Sequence, residues 1–343
     1  MSEFSDIASL RPDQDIPVSV VIPAYNAAAT IGRTIDACLA QTGLPEALEV
    51  IVVDDGSQDH TAIVAQRYPV KVISQANSGP AAARNAGYRA ARGRVICFTD
   101  ADCIPAEDWV ATLLRGFQSQ EIGAVAGSYE PANPESWLAT CIQAEIVVRH
   151  LQMGQFIRAF GTYNVAIIRR ALDEVDGFEP TFRRASGEDN DLSYKLLKAG
   201  YKITFCRDAR VAHFHPTRVI KYMKEQARHG FWRAKIYRRH PDMTRGDDYT
   251  LVKDIVEPPL ALTIVLGLVT SLVWPQLRPV VMGLTIVQVI IQAPMTKKII
   301  ALTGRRNTAW FGFVTFVRGF ARALGLAAVL ALFRLEKPGT PGL

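Results

Sequence analysis

The chain has 343 residues, of which 39 are Lys or Arg and 33 are Asp or Glu, so its formal net charge is +6. Apolar residues make up 49% and charged residues 21%, which excludes a disordered or collagen-like chain. Its five scattered cysteines include no C-x-x-C pair, which argues against a disulfide scaffold or zinc ribbon and indicates a reducing compartment.

Charge and apolar residues are unevenly distributed along the chain. The polar N-terminus lacks the apolar stretch of a cleaved signal peptide. Residues 218–253 hold ten basic and four acidic side chains, and long apolar segments follow them. The pattern predicts a flexible N-terminus (1–15), a soluble domain (16–240, divided near 124), a basic neck (241–257) and a membrane region of two to three helices (258–337).

The soluble part alternates between predicted strands and helices. The β-branched runs VSVVI and VIVV are typical of buried parallel strands. Strands are predicted at 18–22, 50–53, 70–74 and 95–99, and helices at 30–41, 59–67 and 79–92. Ser57 is expected to cap the second helix. This order predicts an α/β fold whose open, mostly parallel sheet carries helices on both faces.

Polar clusters follow three of the predicted strands, at 23–26, 54–57 and 100–102. Ligands of such sheets bind beyond the carboxyl ends of the strands. Asp100 and Asp102 would repel each other unless a cation or proton intervenes, and Mg²⁺ typically uses one or two carboxylates together with substrate phosphates. Each cluster is also compatible with ordinary turn chemistry.

Two later segments carry candidate chemistry. Glu188, Asp189 and Asp191 begin a predicted helix, where they serve either as favourable charges at its N-terminus or as a general base. His213 and His215 stand two residues apart in VAHFH, on one face of a predicted strand. This pair is either structural or ligating.

Four segments in order resemble family 2 glycosyltransferases of the GT-A fold, over roughly residues 17–240: VSVVIPAYN, VIVVDDGSQDHT, NSGPAAARNAGYRAARGRVICFTDADC and GEDNDLSYKLLKAGY. The resemblance implies an inverting enzyme that uses a UDP- or GDP-linked sugar and Mg²⁺ or Mn²⁺. It implies donor-binding residues at Pro23, Ala24, Tyr25, Asp55, Arg84, Asp100 and Ala101. It further implies Asp189 as the catalytic base and Asp102 and His213 as metal ligands, with His215 as the alternative to His213.

The acceptor and diphosphate side of the site is expected at Asn164, Glu188, Gln226 and Arg228. The segment 226–230 loosely resembles the Q-x-x-R-W element of processive family members, but Gly230 replaces the Trp. This departure favours transfer of a single sugar. The same segment is also compatible with a basic amphipathic helix that faces anionic lipid.

The C-terminal region predicts membrane insertion. Residues 258–274 and 279–293 contain no charge, whereas 310–333 contain Arg318 and Arg322. The first two segments are expected to form a hairpin, and the third either spans the membrane or lies at its interface. Basic residues before and after the hairpin place the catalytic domain on the cytoplasmic side of the inner membrane.

These observations predict a membrane-anchored glycosyltransferase that acts on a lipid-linked or cell-envelope glycan acceptor and binds no nucleic acid. One alternative is a nucleotidyltransferase-like enzyme, although the GEDND segment would then have no role. The other alternative is a catalytically degenerate membrane scaffold, against which the presence of Asp55, Asp102 and Asp189 argues.

Overall fold

The computed structural model describes residues 17–44, 48–182, 187–243 and 248–335, so the expected flexible N-terminus lies outside the described residues. The chain divides into two compact units. Unit 1 comprises Met1–Ala132 and Met153–Phe214, and unit 2 comprises Asn133–Gln152 and His215–Leu343. This division differs from the expected boundary at 240, because the segment 133–152 forms a helix that packs with the C-terminal helices.

Unit 1 is built on one nine-stranded sheet. Its strands are β1 (Val18–Ala24), β2 (Glu49–Asp54), β3 (Lys71–Ser74), β4 (Val95–Phe98), β5 (Cys103–Pro105), β6 (Ile122–Pro131), β7 (Phe156–Ile157), β8 (Val165–Ile168) and β9 (Lys202–His213). Their order is β3-β2-β1-β4-β8-β6-β9-β5, and β7 pairs with β9. Strands β1 to β4 are parallel as predicted, whereas β8 runs antiparallel to β4 and β6 and makes the sheet mixed.

The helices of unit 1 are α1 (Ile31–Leu39), α2 (Thr61–Ala65), α3 (Pro80–Ala90), α4 (Trp109–Leu114), α6 (Arg169–Glu174) and α7 (Glu188–Lys198). The core lies where β-branched strand residues meet helix residues of small volume. Val20, Val21 and Ile22 are fully buried in β1. A Cβ at Gly87 of α3 would lie 2.3 Å from Val21 Cγ1, so only glycine lets α3 approach the sheet this closely.

The expected helix cap at Ser57 is wrong. Helix α2 begins at Thr61, and its preceding residue makes no side-chain cap. The Ser57 hydroxyl instead accepts a hydrogen bond from the Asn26 backbone N–H at 2.9 Å. Ser57 therefore joins the loops that follow β1 and β2, because it lies too far before Thr61 to reach the first turn of the helix.

Unit 2 is helical in its described part. Its helices are α5 (Trp137–His150), α8 (Val219–Arg239), α9 (Val252–Thr270), α10 (Arg278–Ile290), α11 (Ala293–Thr303) and α12 (Trp310–Leu335). Two stretches, Pro275–Thr303 and Arg306–Leu332, are long and apolar enough to cross a membrane. The expected first segment, 258–274, lies largely in α9, whose first two turns carry the ionic residues Lys253, Asp254 and Glu257.

The apolar helices of unit 2 bury several polar side chains and expose many large apolar ones. Glu257 and Gln288 are fully buried, whereas Leu272 is 77% exposed and Trp310 is 72% exposed. The amide of Gln292 donates a hydrogen bond to the carboxylate of Glu257 inside this group. Polar and apolar side chains therefore share the interior of this helical group, and much of its outer surface is apolar.

A network of ion pairs joins three helices of unit 2. Glu145 of α5 accepts hydrogen bonds from Arg318 of α12 at 2.7 Å and from Arg149 at 2.5 Å. Asp254 of α9 pairs with Arg149 at 2.6 Å and with Arg322 at 3.0 Å. Although burial alone would raise the pKa of Glu145, the charges of Arg318 and Arg149 hold it well below its usual range.

Candidate functional site

The three polar clusters predicted from the sequence meet at one edge of the sheet. Strands β2, β1 and β4 are neighbours and parallel, so their carboxyl ends at Asp54, Ala24 and Phe98 point the same way. Pro23 and Ala24 end β1, and Tyr25 beyond them is 49% exposed. This edge is where α/β sheets bind their ligands.

Asp55 organises the loop between β3 and α3. Its Oδ1 accepts hydrogen bonds from the Ser78 backbone N–H at 2.9 Å and from Gln75 Nε2 at 2.7 Å. Its Oδ2 accepts the Gly79 N–H at 2.8 Å, just before Pro80 starts α3. Both oxygens of this buried carboxylate thus have partners in the loop. Asp55 therefore fixes the conformation of that loop at the carboxyl edge of the sheet.

Arg84 is buried between two carboxylates rather than facing open solvent. Its Nη2 donates to Asp100 at 2.7 Å and its Nη1 to Glu188 at 2.9 Å. The Arg84 side chain is 4% exposed, while that of Asp100 is 32% exposed. Although burial alone would lower the pKa of Arg84, the two carboxylates raise it. Arg84 therefore ties the end of β4 to the first turn of α7.

Asp102, Cys103 and His213 form the candidate metal group. Their potential ligand atoms all lie within 4.8 Å of one another. The antiparallel pairing of Cys103 with His213 brings β5 and β9 together, and His213 Nε2 lies 3.9 Å from Asp102 Oδ2. Burial, and then the nearby carboxylates, raise the pKa of the Cys103 thiol well above its ordinary value. The carboxylate of Asp102 and the imidazole of His213 are the oxygen and nitrogen ligands of this group that suit Mg²⁺ or Mn²⁺.

Asp189 lies in the first turn of α7. Its Oδ1 accepts hydrogen bonds from the Asn190 backbone N–H at 2.8 Å and from Asn190 Nδ2 at 3.0 Å. Burial, and then the neighbouring charge of Glu188, raise the pKa of Asp189 to about 6. A carboxylate with this pKa is ionised at neutral pH and is a better proton acceptor than an ordinary aspartate.

Asn164, which was expected on the acceptor side, makes several hydrogen bonds inside unit 1. Its Nδ2 donates to the carbonyls of Ser128 and Ala209, each at 2.8 Å, and its Oδ1 accepts from Trp109 Nε1 at 2.7 Å. The side chain is fully engaged inside unit 1, where it links β6 and β9 to α4. Both of its amide atoms are thus committed to the interior of the unit rather than to a sugar.

Three further expected site residues lie in unit 2. The buried amide oxygen of Gln226 accepts from Arg322 Nε at 2.9 Å, and Arg228 is exposed on the same helix. His215 follows the end of β9, and its Nε2 lies 2.9 Å from Gln143 Oε1. The structure therefore brings His213, and not His215, to Asp102.

Tyr129 is a residue of this region that the sequence analysis missed. Its ring stacks on that of Tyr163 with a centroid distance of 3.5 Å and an interplanar angle of 13°. The Tyr129 ring also lies 5.6 Å from that of His213. No local motif predicts these two ring contacts, because they depend on β6 lying between β8 and β9 in the sheet.

Comparison with known proteins agrees with this geometry. Residues 19–175 match the model of glycosyl transferase family 2. The chain is 33% identical over 244 residues to the pre-mycofactocin glycosyltransferase of Mycobacterium tuberculosis, a match that covers 66% of this chain and 49% of that protein. It is 29% identical over 230 residues to glycosyltransferase AglE of Haloferax volcanii, covering 64% of this chain and 74% of AglE.

The fold resembles that of a solved mannosyltransferase from Pyrobaculum calidifontis, a complex with GDP-Man and Mn²⁺, with a TM-score of 0.58. The sequences are 20% identical, and the match covers 92% of this chain and 88% of that one. The chain spans about half the length of the pre-mycofactocin enzyme, so the resemblance concerns the shared domain. Sheet topology, ordered motifs and family match agree: residues 19–175 form a glycosyl transferase family 2 domain of the GT-A fold.

Proposed function

We propose that this domain transfers a sugar from a UDP- or GDP-linked donor to an acceptor hydroxyl with inversion at the anomeric carbon. The observation that carries the proposal is the position of Asp189. It is a carboxylate with a raised pKa, joined through Glu188 and Arg84 to the end of the strand that precedes the candidate metal group. In one step, Asp189 accepts the proton of the acceptor hydroxyl as that oxygen attacks the anomeric carbon.

The donor would lie along the edge formed by the ends of β1, β2 and β4. Asp102 and His213 would hold Mg²⁺ or Mn²⁺, because a carboxylate oxygen and an imidazole suit these ions. A bound divalent ion neutralises charge that develops on the departing diphosphate. Asp55 holds the loop beneath the nucleotide, and the first turn of α7 orients the base.

The carboxylates of the site also support transfer over the nucleotidyltransferase alternative. Attack of a hydroxyl on an anomeric carbon requires a base, and the raised pKa of Asp189 supports that role. The presence of Asp55, Asp102 and Asp189 argues against the degenerate-scaffold alternative. We favour the enzyme for these reasons.

The second part of the proposal is attachment to the inner membrane through unit 2, with the catalytic domain in the cytoplasm and a lipid-linked or cell-envelope glycan as acceptor. The apolar outer surface of α9, of α10 and of the turn between them supports it. Leu266, Val269, Val273, Val280 and Met282 are each more than half exposed. In water such a surface would aggregate or find a partner, whereas lipid accommodates it.

A donor screen tests the enzymatic part. Purified full-length protein is incubated with UDP- and GDP-sugars, with Mn²⁺ or with EDTA, and release of the nucleoside diphosphate is measured. We expect turnover of one donor class, loss of that turnover in EDTA, and weaker donor binding by Asp102→Ala in calorimetry. Equal turnover with and without EDTA would remove the metal from the proposal.

Alkaline carbonate extraction tests the membrane part. The full-length protein should remain with the membrane pellet, because its apolar surface does not depend on charge. A protein that is soluble and monodisperse without detergent would overturn membrane attachment while leaving the glycosyltransferase proposal intact.

A further inference from the structure

Helix α8 has two unlike faces. Tyr222, Gln226 and Gly230 are buried on one face. The opposite face carries residues spaced three or four apart, which are Lys221, Lys224, Arg228, Trp232, Lys235 and Arg239. We call these six residues the basic stripe. Lys221, Lys224 and Arg228 are exposed, and each has no ion pair within the described part of the chain.

An aromatic ring and an apolar side chain accompany the charges of the basic stripe. Lys235 Nζ lies 5.1 Å from the centre of the Trp232 ring, and Ile220 at the start of the helix is 74% exposed. Interfacial helices combine these residue types, since lysine and arginine contact phosphate while Trp and apolar side chains enter the headgroup region.

Helix α8 runs beside α12 in the same direction. Tyr222 Oη accepts from Arg318 Nη1 at 3.1 Å, and one turn later Gln226 Oε1 accepts from Arg322 Nε at 2.9 Å. The backbones are nearly in contact, because a Cβ at Gly325 would lie 2.0 Å from the carbonyl oxygen of residue 227. The two helices therefore form a close and extended pair.

The pairing decides how α12 can meet a membrane. If α12 crossed the bilayer, α8 beside it would carry Lys221, Lys224 and Arg228 into the hydrocarbon, where each unpaired charge is costly. If α12 instead lies along the surface, α8 beside it also stays outside the hydrocarbon. The second arrangement therefore leaves Lys221, Lys224 and Arg228 in contact with water or with headgroups.

We infer that the basic stripe of α8 docks on an anionic phospholipid surface and holds α12 in the plane of that surface as a non-spanning helix. The inference rests on the membrane attachment proposed above. It adds which lipids the protein prefers and how α12, its last described helix, lies relative to the membrane. Charge complementarity favours an anionic lipid surface as the partner of the basic stripe. The helix that bears the stripe packs along α12, which lies in one of the two described stretches that are long and apolar enough to cross a membrane.

Vesicle flotation tests the stripe. Full-length protein is diluted from detergent onto vesicles of phosphatidylcholine alone or of phosphatidylcholine with phosphatidylglycerol. One basic residue at an anionic surface contributes about fivefold to binding, so the triple variant K221Q/K224Q/R228Q should bind the anionic vesicles roughly 100-fold more weakly than wild type. Both proteins should bind neutral vesicles equally, and high salt should remove the difference.

The matched control is R67Q/R94Q/R115Q, which removes the same charge from exposed positions of unit 1 and should bind like wild type. Equal binding of the stripe variant and wild type to anionic vesicles would overturn the inference. So would a stripe variant that binds these vesicles normally but loses turnover of a soluble donor, since the stripe would then serve substrate. Failure of wild type to bind even neutral vesicles would instead overturn the proposed membrane attachment.

Reporter fusions test the topology of α12. With α12 in the plane of the surface, a reporter after Leu343 and one before Met1 should lie on the same side of the membrane. Opposite sides for the two reporters, in a protein that still floats with anionic vesicles, would overturn the non-spanning arrangement.

Discussion

Both units bury ion pairs, but they do so in opposite surroundings. In unit 1, Arg84, Asp100 and Glu188 lie above an apolar core at a sheet edge that reaches solvent. In unit 2, Glu145 and Arg318 lie inside helices whose outer surface is apolar. The ion pairs of unit 1 therefore join the end of β4 to α7 at an edge of the sheet, whereas those of unit 2 join α5, α9 and α12 inside a helical group.

The largest expected effect concerns the unit 1 site. Asp189→Asn should lower kcat by about 10²–10⁴-fold, because the acceptor proton loses its base, while donor binding stays unchanged. A transfer assay together with calorimetry measures both quantities. Asp173→Asn, an exposed acid on α6, is the control and should match wild type. Normal turnover by Asp189→Asn would remove the base assignment.

In unit 2 the expected effect is on stability. Glu145→Gln leaves Arg318 and Arg149 short of a counter-charge and should lower the free energy of unfolding by about 3–5 kcal/mol. Denaturant unfolding in detergent measures it. The exposed pair of Arg210 with Glu130, at 2.8 Å in unit 1, is the control, and Glu130→Gln should cost less than about 1 kcal/mol.

A double variant sharpens this second prediction. Glu145→Leu combined with Arg318→Met should destabilise less than the sum of the single changes, because the two residues compensate each other's buried charge. Additive effects would mean that the network does not act as a unit.

A smaller effect on stability is expected at Asn164 of unit 1, where it distinguishes a structural role from a role in acceptor binding. Asn164→Ala should lower the free energy of unfolding by about 1–3 kcal/mol, because Trp109 Nε1 and two carbonyls lose their partner. The KM for acceptor should not change. A raised KM at unaltered stability would return Asn164 to the acceptor site.

The smallest effect is a pH dependence. Because the base must be ionised, kcat/KM should fall tenfold per pH unit below about 6, the pKa of Asp189, rather than below the ordinary aspartate value. In Glu188→Gln this acidic limb should move to lower pH, since a neighbouring negative charge no longer raises the pKa. A pH–rate profile on both proteins checks the shift, and an identical profile would mean that Glu188 does not raise the pKa of Asp189.

Local patterns predicted those parts of the fold that depend on neighbours in sequence. The β-branched runs of β1 and β2 predicted strands within two residues of those observed, because both faces of each strand are buried. The placement of Asp102 beside His213 required the pairing of β5 with β9, which no local pattern contains; the family resemblance supplied it.

Several contacts of the expected site residues could not be predicted from the sequence. The amides of Asn164 and Gln226, both expected at the acceptor, are engaged by Trp109 and Arg322, which are 55 and 96 residues away in sequence. The partner of Arg318 was likewise hidden, since Glu145 is 173 residues distant. Amide and charged side chains are versatile, so their role follows from partners that only the folded chain brings together.

The position of helix α5 limits where this protein can be truncated or recombined with a relative. Its sequence interrupts unit 1 between β6 and β7, yet Glu145 and Arg149 find their partners on helices that come more than 100 residues later. A chain cut after Phe214 would keep α5 while losing Asp254 and Arg318. The helices of unit 2 are therefore no exchangeable C-terminal module, and any recombination between relatives must replace residues 133–152 and the tail together.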